Sequence, residues 1–335
     1  MIKYVVRNRY LEGFARILPT LLILVSVAGL LIGGIVLERW DYSIRGLIVA
    51  IPAIIASIVL LYMFKRPIDD NEGVPLVLFN IKNAPYLLFI LFYLISTIIL
   101  LAGINRLLYF IFIASLYLTI FVQIFSQKVS SNVIVLEIVS VMANVIYGTT
   151  LVYPLFFRTT DILLHNTIST VTSLSGHTVP FDLDASYASF PLFHIYNAIS
   201  SNILGLSAQD SHFIVMCPAY VIVVLFLFRL FKIFSNNEQV SLLACLCFSV
   251  SPTVLTRGIE MVTSVTAFVG FVILLYLIFA AKERGSIAFN VLIILSATFI
   301  MLVHQVSIAQ IVLLVALLMA CELLLGEKRY FSTYL

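Results

Sequence analysis

The stretch 157–200, FRTTDILLHNTISTVTSLSGHTVPFDLDASYASFPLFHIYNAIS, interrupts a chain that otherwise runs from one apolar segment to the next. The polar segment 158–211 holds three of the five histidines, His165, His177 and His194, together with Asp161, Asp182, Asp184 and Asp210. The whole sequence is 62% hydrophobic and 10% charged, with mean hydropathy +1.14. A soluble domain of 335 residues does not carry that balance. Repeated apolar runs of about 20 residues predict transmembrane helices, so the expected fold is an all-α, polytopic helix bundle.

About ten spans are expected. They fall near 18–37, 46–64, 84–102, 107–125, 133–155, 212–234, 240–252, 261–281, 287–302 and 307–325. The first run is too long for a signal-peptide core and is read as a retained span. Pro252, followed by Thr253, breaks the seventh segment. With a cytoplasmic N-terminus, all of the 19 Lys and Arg fall inside except Arg39, Arg45, Arg106, Arg158 and Arg257. The positive-inside rule favours that orientation, with 158–211 external. Residues 1–132 then form an N-terminal membrane region of about four spans, and 133–335 a second membrane module that carries the long loop.

Several chemistries are set aside. No basic patch with interleaved aromatics points to nucleic acid. Cys217, Cys245, Cys247 and Cys321 lie in apolar segments and lack paired C-x-x-C spacing, so they are expected as buried thiols. Asp69 and Asp70, beside Asn71 and Gly73, read as a solvated turn. Glu137 has no second ionisable residue within its span and reads as an interfacial carboxylate.

Within the loop, Thr159 or Thr160 can cap a helix that Gly176 ends, with Asp161 in the first turn where the dipole favours an anion. Leu164, Ile168, Val171 and Leu174 make its apolar stripe, so it is expected to lie on the membrane surface. Asp161 and His165, four apart, share a face. A second helix begins at Pro191 and ends before Gly205. The intervening HTVPFDLDASYASF reads as a linker, with Asp182 and Asp184 in a turn. Tyr187 is either an interfacial aromatic or a sugar-stacking platform. Arg257 and Glu260 either pair across one turn or face a substrate.

Taken together, FFRTTDILLH at 156–165, a helix closing in Ser175-Gly176, and Tyr187, Phe190-Pro191-Leu192 and His194 resemble the first external loop of GT-C type membrane glycosyltransferases. That superfamily includes protein mannosyltransferases and oligosaccharyltransferases. The resemblance covers about 141–325 and is nearest to archaeal and bacterial members, which places the chain in a prokaryotic cell membrane. Here the loop follows the fifth span, whereas the family sets it after the first.

The resemblance implies transfer of a sugar from a polyprenyl-phosphate donor to a protein, lipid or glycan acceptor at the outer face. It implies Asp161 as general base or metal ligand, with His165 beside it as catalytic partner or second ligand of a divalent metal, Mg or Mn. Arg158, His194, Tyr187, Arg257, Glu260 and His304 are the expected substrate-binding residues. Attack by an acceptor activated by one carboxylate would invert the anomeric centre. Two other classes remain open: a polymerase or ligase of lipid-linked polysaccharide, and a transporter or non-catalytic membrane subunit. Against transport, the spans carry almost no central charges and show no repeat.

Overall fold

The computed structural model describes residues 84–126, 129–152, 160–260, 262–284 and 287–324, with a few isolated helical positions between 20 and 58. The expected spans near 18–37 and 46–64, and Arg158 at the head of the loop, lie outside the described residues. The chain divides into two compact units, Met1–Gly73 with Leu317–Ser332, and Val74–Ala316 with Thr333–Leu335. All that follows concerns the second.

Every element among the described residues is a helix: α1 (Ala84–Ala102), α2 (Arg106–Ile124), α3 (Ser131–Val152), α4 (Thr160–Ser175), α5 (Ala185–Ser189), α6 (Leu192–Leu204), α7 (Ala208–Ser235), α8 (Glu238–Val250), α9 (Pro252–Glu260), α10 (Thr263–Arg284), α11 (Ile287–Val303) and α12 (Gln305–Leu324). Five of these are long and apolar enough to cross a bilayer, namely α1, α2, α3, α7 and α10. The bent pair α8–α9 makes a sixth if it is one broken span. Two of the expected ten lie outside the described residues, and α11, an apolar helix of 17 residues, is shorter than those five.

Local signals set the boundaries. Asn105 Oδ1 accepts from the N–H groups of Leu107 and Leu108, opening α2. Ser207 Oγ accepts from Asp210 N–H and donates to the Asp210 carboxylate, a capping exchange that starts α7. Asn237 caps α8 in the same way. At 28 residues α7 is about 42 Å long at 1.5 Å per residue. It is the central pillar, packing against α3, α6, α8 and α10.

The break between α8 and α9 follows from Pro252, which drives the preceding Ser251 into extended backbone. The two helices bend by 61°. A bend inside hydrocarbon frees carbonyls that water cannot reach. Tyr117 from α2 donates to the Ser249 carbonyl at 3.1 Å, and Tyr220 from α7 donates to the Val254 carbonyl at 2.8 Å. Two tyrosines from neighbouring helices thus hold the broken segment. Gly258 is the tightest point: a methyl there would sit 2.4 Å from Ile146 Cδ1 and 2.8 Å from the Tyr220 ring.

Polar side chains also join α1, α2 and α3. Tyr109 Oη donates to Asn144 Oδ1 at 2.9 Å, and Asn144 Nδ2 donates to Thr97 Oγ1 at 3.0 Å. Such interhelical bonds contribute about 0.6–2 kcal/mol each in a membrane. At the other end of α3, Gln123 Nε2 donates to the buried Glu137 at 3.3 Å, while Glu238 binds both Ser131 and Lys232. Glu137 is thus buried between α2 and α3, near the start of α3.

Candidate functional site

The polar loop contains three helices, α4, α5 and α6. Gly176 and Gly205, at φ 70° and 65°, end α4 and α6 in the left-handed conformation that only glycine adopts without strain. The short α5 lies inside the expected linker. Asp184 builds it, accepting from the N–H groups of Ser186 and Tyr187 at 3.0 and 3.1 Å, so half of the D-x-D pair is a helix cap.

Helices α4 and α6 pack side by side. Two contacts fix their register at the same offset: His165 meets His194, and Ser173 donates to Asn202 at 2.6 Å. An equal offset of 29 residues at both contacts means the helices run parallel. Their N-terminal ends therefore lie together, and Asp161 and His194 share that end.

The pair turns its polar faces inward. His165 and His194 are 2% and 1% exposed, and Ser169, Thr172, Asn197 and Ser201 are buried beside them. Most of the apolar stripe expected on α4 faces outward, with Leu174 83% exposed and Leu164 and Val171 also exposed, while Ile168 is buried; on α6, Ile203 is 78% exposed and Ile199 is exposed too. Polar side chains inside and apolar ones outside suit a hydrocarbon surrounding rather than water.

At the shared end, His165 Nδ1 lies 3.0 Å from His194 Nε2. The other ring nitrogen, His165 Nε2, faces Asp161 Oδ1 at 3.5 Å, an ion-pair separation longer than a hydrogen bond. Asp161 itself is half exposed. Tyr187 from α5 sets its ring edge-on to both histidines, at centroid distances of 5.0 and 5.1 Å. Phe193 packs against His165, His194 and His212 at 5.2 to 5.3 Å, joining the three imidazoles through one buried ring.

Burial sets the electrostatics. It pushes His194 down to about 3, with the positive charges that His165 and His212 would carry adding to the effect. His165 is lowered chiefly by burial, opposed in part by Asp161 and Asp184. Burial raises Tyr187, as do the charges of Asp161 and Asp184. At neutral pH both paired imidazoles are uncharged, beside the Asp161 side chain.

His304, between α11 and α12, belongs to this neighbourhood. Helix α11 packs on α6, and Asp161 acts on the His304 ring electrostatically. His304 Nδ1 accepts from Ser307 N–H at 3.2 Å and lies 2.8 Å from Ser307 Oγ, so the side chain caps α12. Burial lowers its basicity.

The other expected residues divide. Arg257 and Glu260 pair with each other at 3.1 Å, across one turn of α9, with Glu260 buried and Arg257 exposed. Helix α9 packs on α3, α7, α8 and α10. His177 is exposed in the turn after α4. Phe193, Asn197 and His212 join the cluster with no motif to announce them. Behind the histidine pair, Asn166 Oδ1, Ser169 Oγ, Thr172 Oγ1, His194 Nδ1 and Asn197 Nδ2 are buried without a hydrogen-bond partner among the described residues. Each such atom costs about 1–3 kcal/mol.

Asp161 and His165 supply two donors of the kind a divalent metal takes. Among the described residues no third His, Cys, Asp or Glu converges on them to form a metal-holding group.

Beneath the cluster lies an apolar cavity of about 210 Å³ between α6, α7, α10 and α11. Phe193 is its boundary with the histidines; Tyr196, Met216, Val269, Phe299 and Val303 line the rest. Comparison with protein-family profiles, with curated proteins and with solved structures finds no match.

Proposed function

We propose that the chain is an integral membrane glycosyltransferase of GT-C type, moving a sugar from a polyprenyl-phosphate donor to an acceptor at the outer membrane face. One observation carries the reading: a half-exposed carboxylate, Asp161, is backed by a buried, neutral histidine pair, and that pair packs on Phe193, which lines an apolar cavity. The carboxylate suits an acceptor arriving from water, and the cavity suits part of a prenyl chain.

In the proposed step, Asp161 takes the proton of an acceptor hydroxyl or amide as its lone pair forms a bond to the anomeric carbon. The bond from that carbon to the lipid-phosphate oxygen breaks, and the phosphate leaves with the electron pair. His304, close enough to Asp161 to feel its charge, is the group placed to donate toward that phosphate. Arg257, engaged by Glu260, is a weaker candidate for this role. A divalent metal held by Asp161 and His165 would serve the phosphate as well. One displacement of this kind inverts the anomeric centre.

The test is Asp161→Asn in purified protein, assayed with a dolichyl- or undecaprenyl-phosphate sugar. Loss of transfer by ~100-fold or more is expected for a positioned base. Full activity in that variant refutes the assignment.

A further inference from the structure

His194 was expected to bind substrate. We infer that it is instead a positioning residue, which fixes His165 in the tautomer that directs Nε2–H at Asp161. This rests on the reading of Asp161 as the base, although the geometry behind it does not.

The argument is one of donors and acceptors. A neutral imidazole carries one N–H and one lone pair. His165 Nε2 faces a carboxylate oxygen at 3.5 Å. A lone pair there would oppose the carboxylate, whereas an N–H is attracted to it. With the proton on Nε2, His165 Nδ1 must accept. Among the described residues the ring atom facing it is His194 Nε2 at 3.0 Å, which must therefore carry the proton and donate. This leaves His194 Nδ1 as a bare lone pair; it is buried without a hydrogen-bond partner among the described residues, as is His165 Nε2, which meets Asp161 only at ion-pair distance. The N–H groups point outward, from His194 Nε2 to His165 Nδ1 and from His165 Nε2 toward Asp161.

The direction has two chemical consequences. Asp161 is faced by an N–H rather than by a lone pair and remains an acceptor, as a base requires. A proton taken by Asp161 cannot pass inward, because His165 Nε2 is already occupied; it must leave to water or product. The opposite tautomer, with Nδ1–H donating to His194 and a bare Nε2 lone pair, is the form that would hold a metal with Asp161. The two roles considered for His165 therefore require opposite proton positions. Acting on this pair are the charges of Asp161 and Asp184, together with His212 and His304. Tyr187 and Phe193 close the remaining faces of His165.

The experiment is solid-state NMR of the ¹⁵N-histidine-labelled full chain in lipid bilayers at pH 7, with His165 assigned through a His165→Gln variant. The expected native spectrum has His165 protonated at Nε2 and unprotonated at Nδ1, and His194 protonated at Nε2. His194→Gln, whose amide reaches the same point with a donor, should leave the His165 pattern unchanged. His194→Asn, one bond shorter, should release His165 into a mixture of tautomers. Native His165 bearing its proton on Nδ1 would overturn the inference, and so would a His165 pattern indifferent to His194→Asn. In a sugar-transfer assay, His194→Asn should lose kcat by ~10-fold or more with KM unchanged, and His194→Gln should restore most of it. A native protein without transfer activity would fail the glycosyltransferase reading while leaving the NMR result to stand by itself.

Discussion

Acid should loosen this protein before it protonates the carboxylates, through the buried histidines. His194 is pushed from its ordinary 6.5 down to about 3 in the fold. In the unfolded chain it returns to the ordinary value. Between those two pH values the unfolded state binds a proton that the folded state refuses, so stability is fully present above about 6.5 and falls as pH drops toward 3. The slope is about 1.4 kcal/mol per pH unit for each such group. From pH 7 to pH 5, His194 alone costs about 2 kcal/mol, and His165, shifted the same way, adds to it. For a unit of this size that is a fall of roughly 4–8 °C in melting temperature. Cys217 and Cys245 are fully buried, so a maleimide dye that fluoresces on reaction reports unfolding in detergent. Replacing the exposed Cys247 with Ser lowers the background. Glu238, held below the usual carboxylate range by Lys232 and Ser131, loses its contribution only at lower pH and does not confuse the window. The His165→Gln, His194→Gln double variant should lose most of that fall between pH 7 and 5, keeping only the part that His304, also lowered by burial, contributes. A native melting temperature unchanged over that range, or an equal fall in the double variant, refutes the reasoning.

Two further outcomes are expected. Gly258→Ala should destabilise by about 1–3 kcal/mol, because its methyl meets Ile146 Cδ1 and the Tyr220 ring; adding Ile146→Val removes the closest atom and should recover part of the loss in a thermal melt. On a cysteine-free background, a cysteine at the exposed Ser186 should react with a membrane-impermeant maleimide in whole cells, while one at Ser130 should not; the reverse pattern inverts the proposed orientation.

Much of the local structure was legible because its causes are local. The boundaries of α4 and α6 follow from Gly176, Pro191 and Gly205, and the break after α8 follows from Pro252. The pairing of Arg257 with Glu260 was one of the two readings their spacing allowed. Helix α5 was missed because Asp184 can either turn a loop or cap a helix, and only the N–H groups of Ser186 and Tyr187 decide between them. Of the ten expected spans, the described residues show five, or six if the bent α8–α9 pair is one; apolar composition records hydrophobicity and does not by itself set length and bending, as in the 17-residue α11 and the 61° break before α9.

The sequence by itself determined that this is a helical membrane protein, and it placed Asp161 one turn from His165, because hydropathy and the 3.6-residue period act over neighbouring residues. Only the tertiary structure decided that α4 and α6 run parallel with their polar faces together. That register brings His194 to His165 across 29 residues and sets Phe193 against a third imidazole, His212. The apolar stripes allow the same helices to lie on a membrane surface or to pack polar-side-in. The choice depends on which side chains can satisfy one another across the interface, and no single helix carries that information.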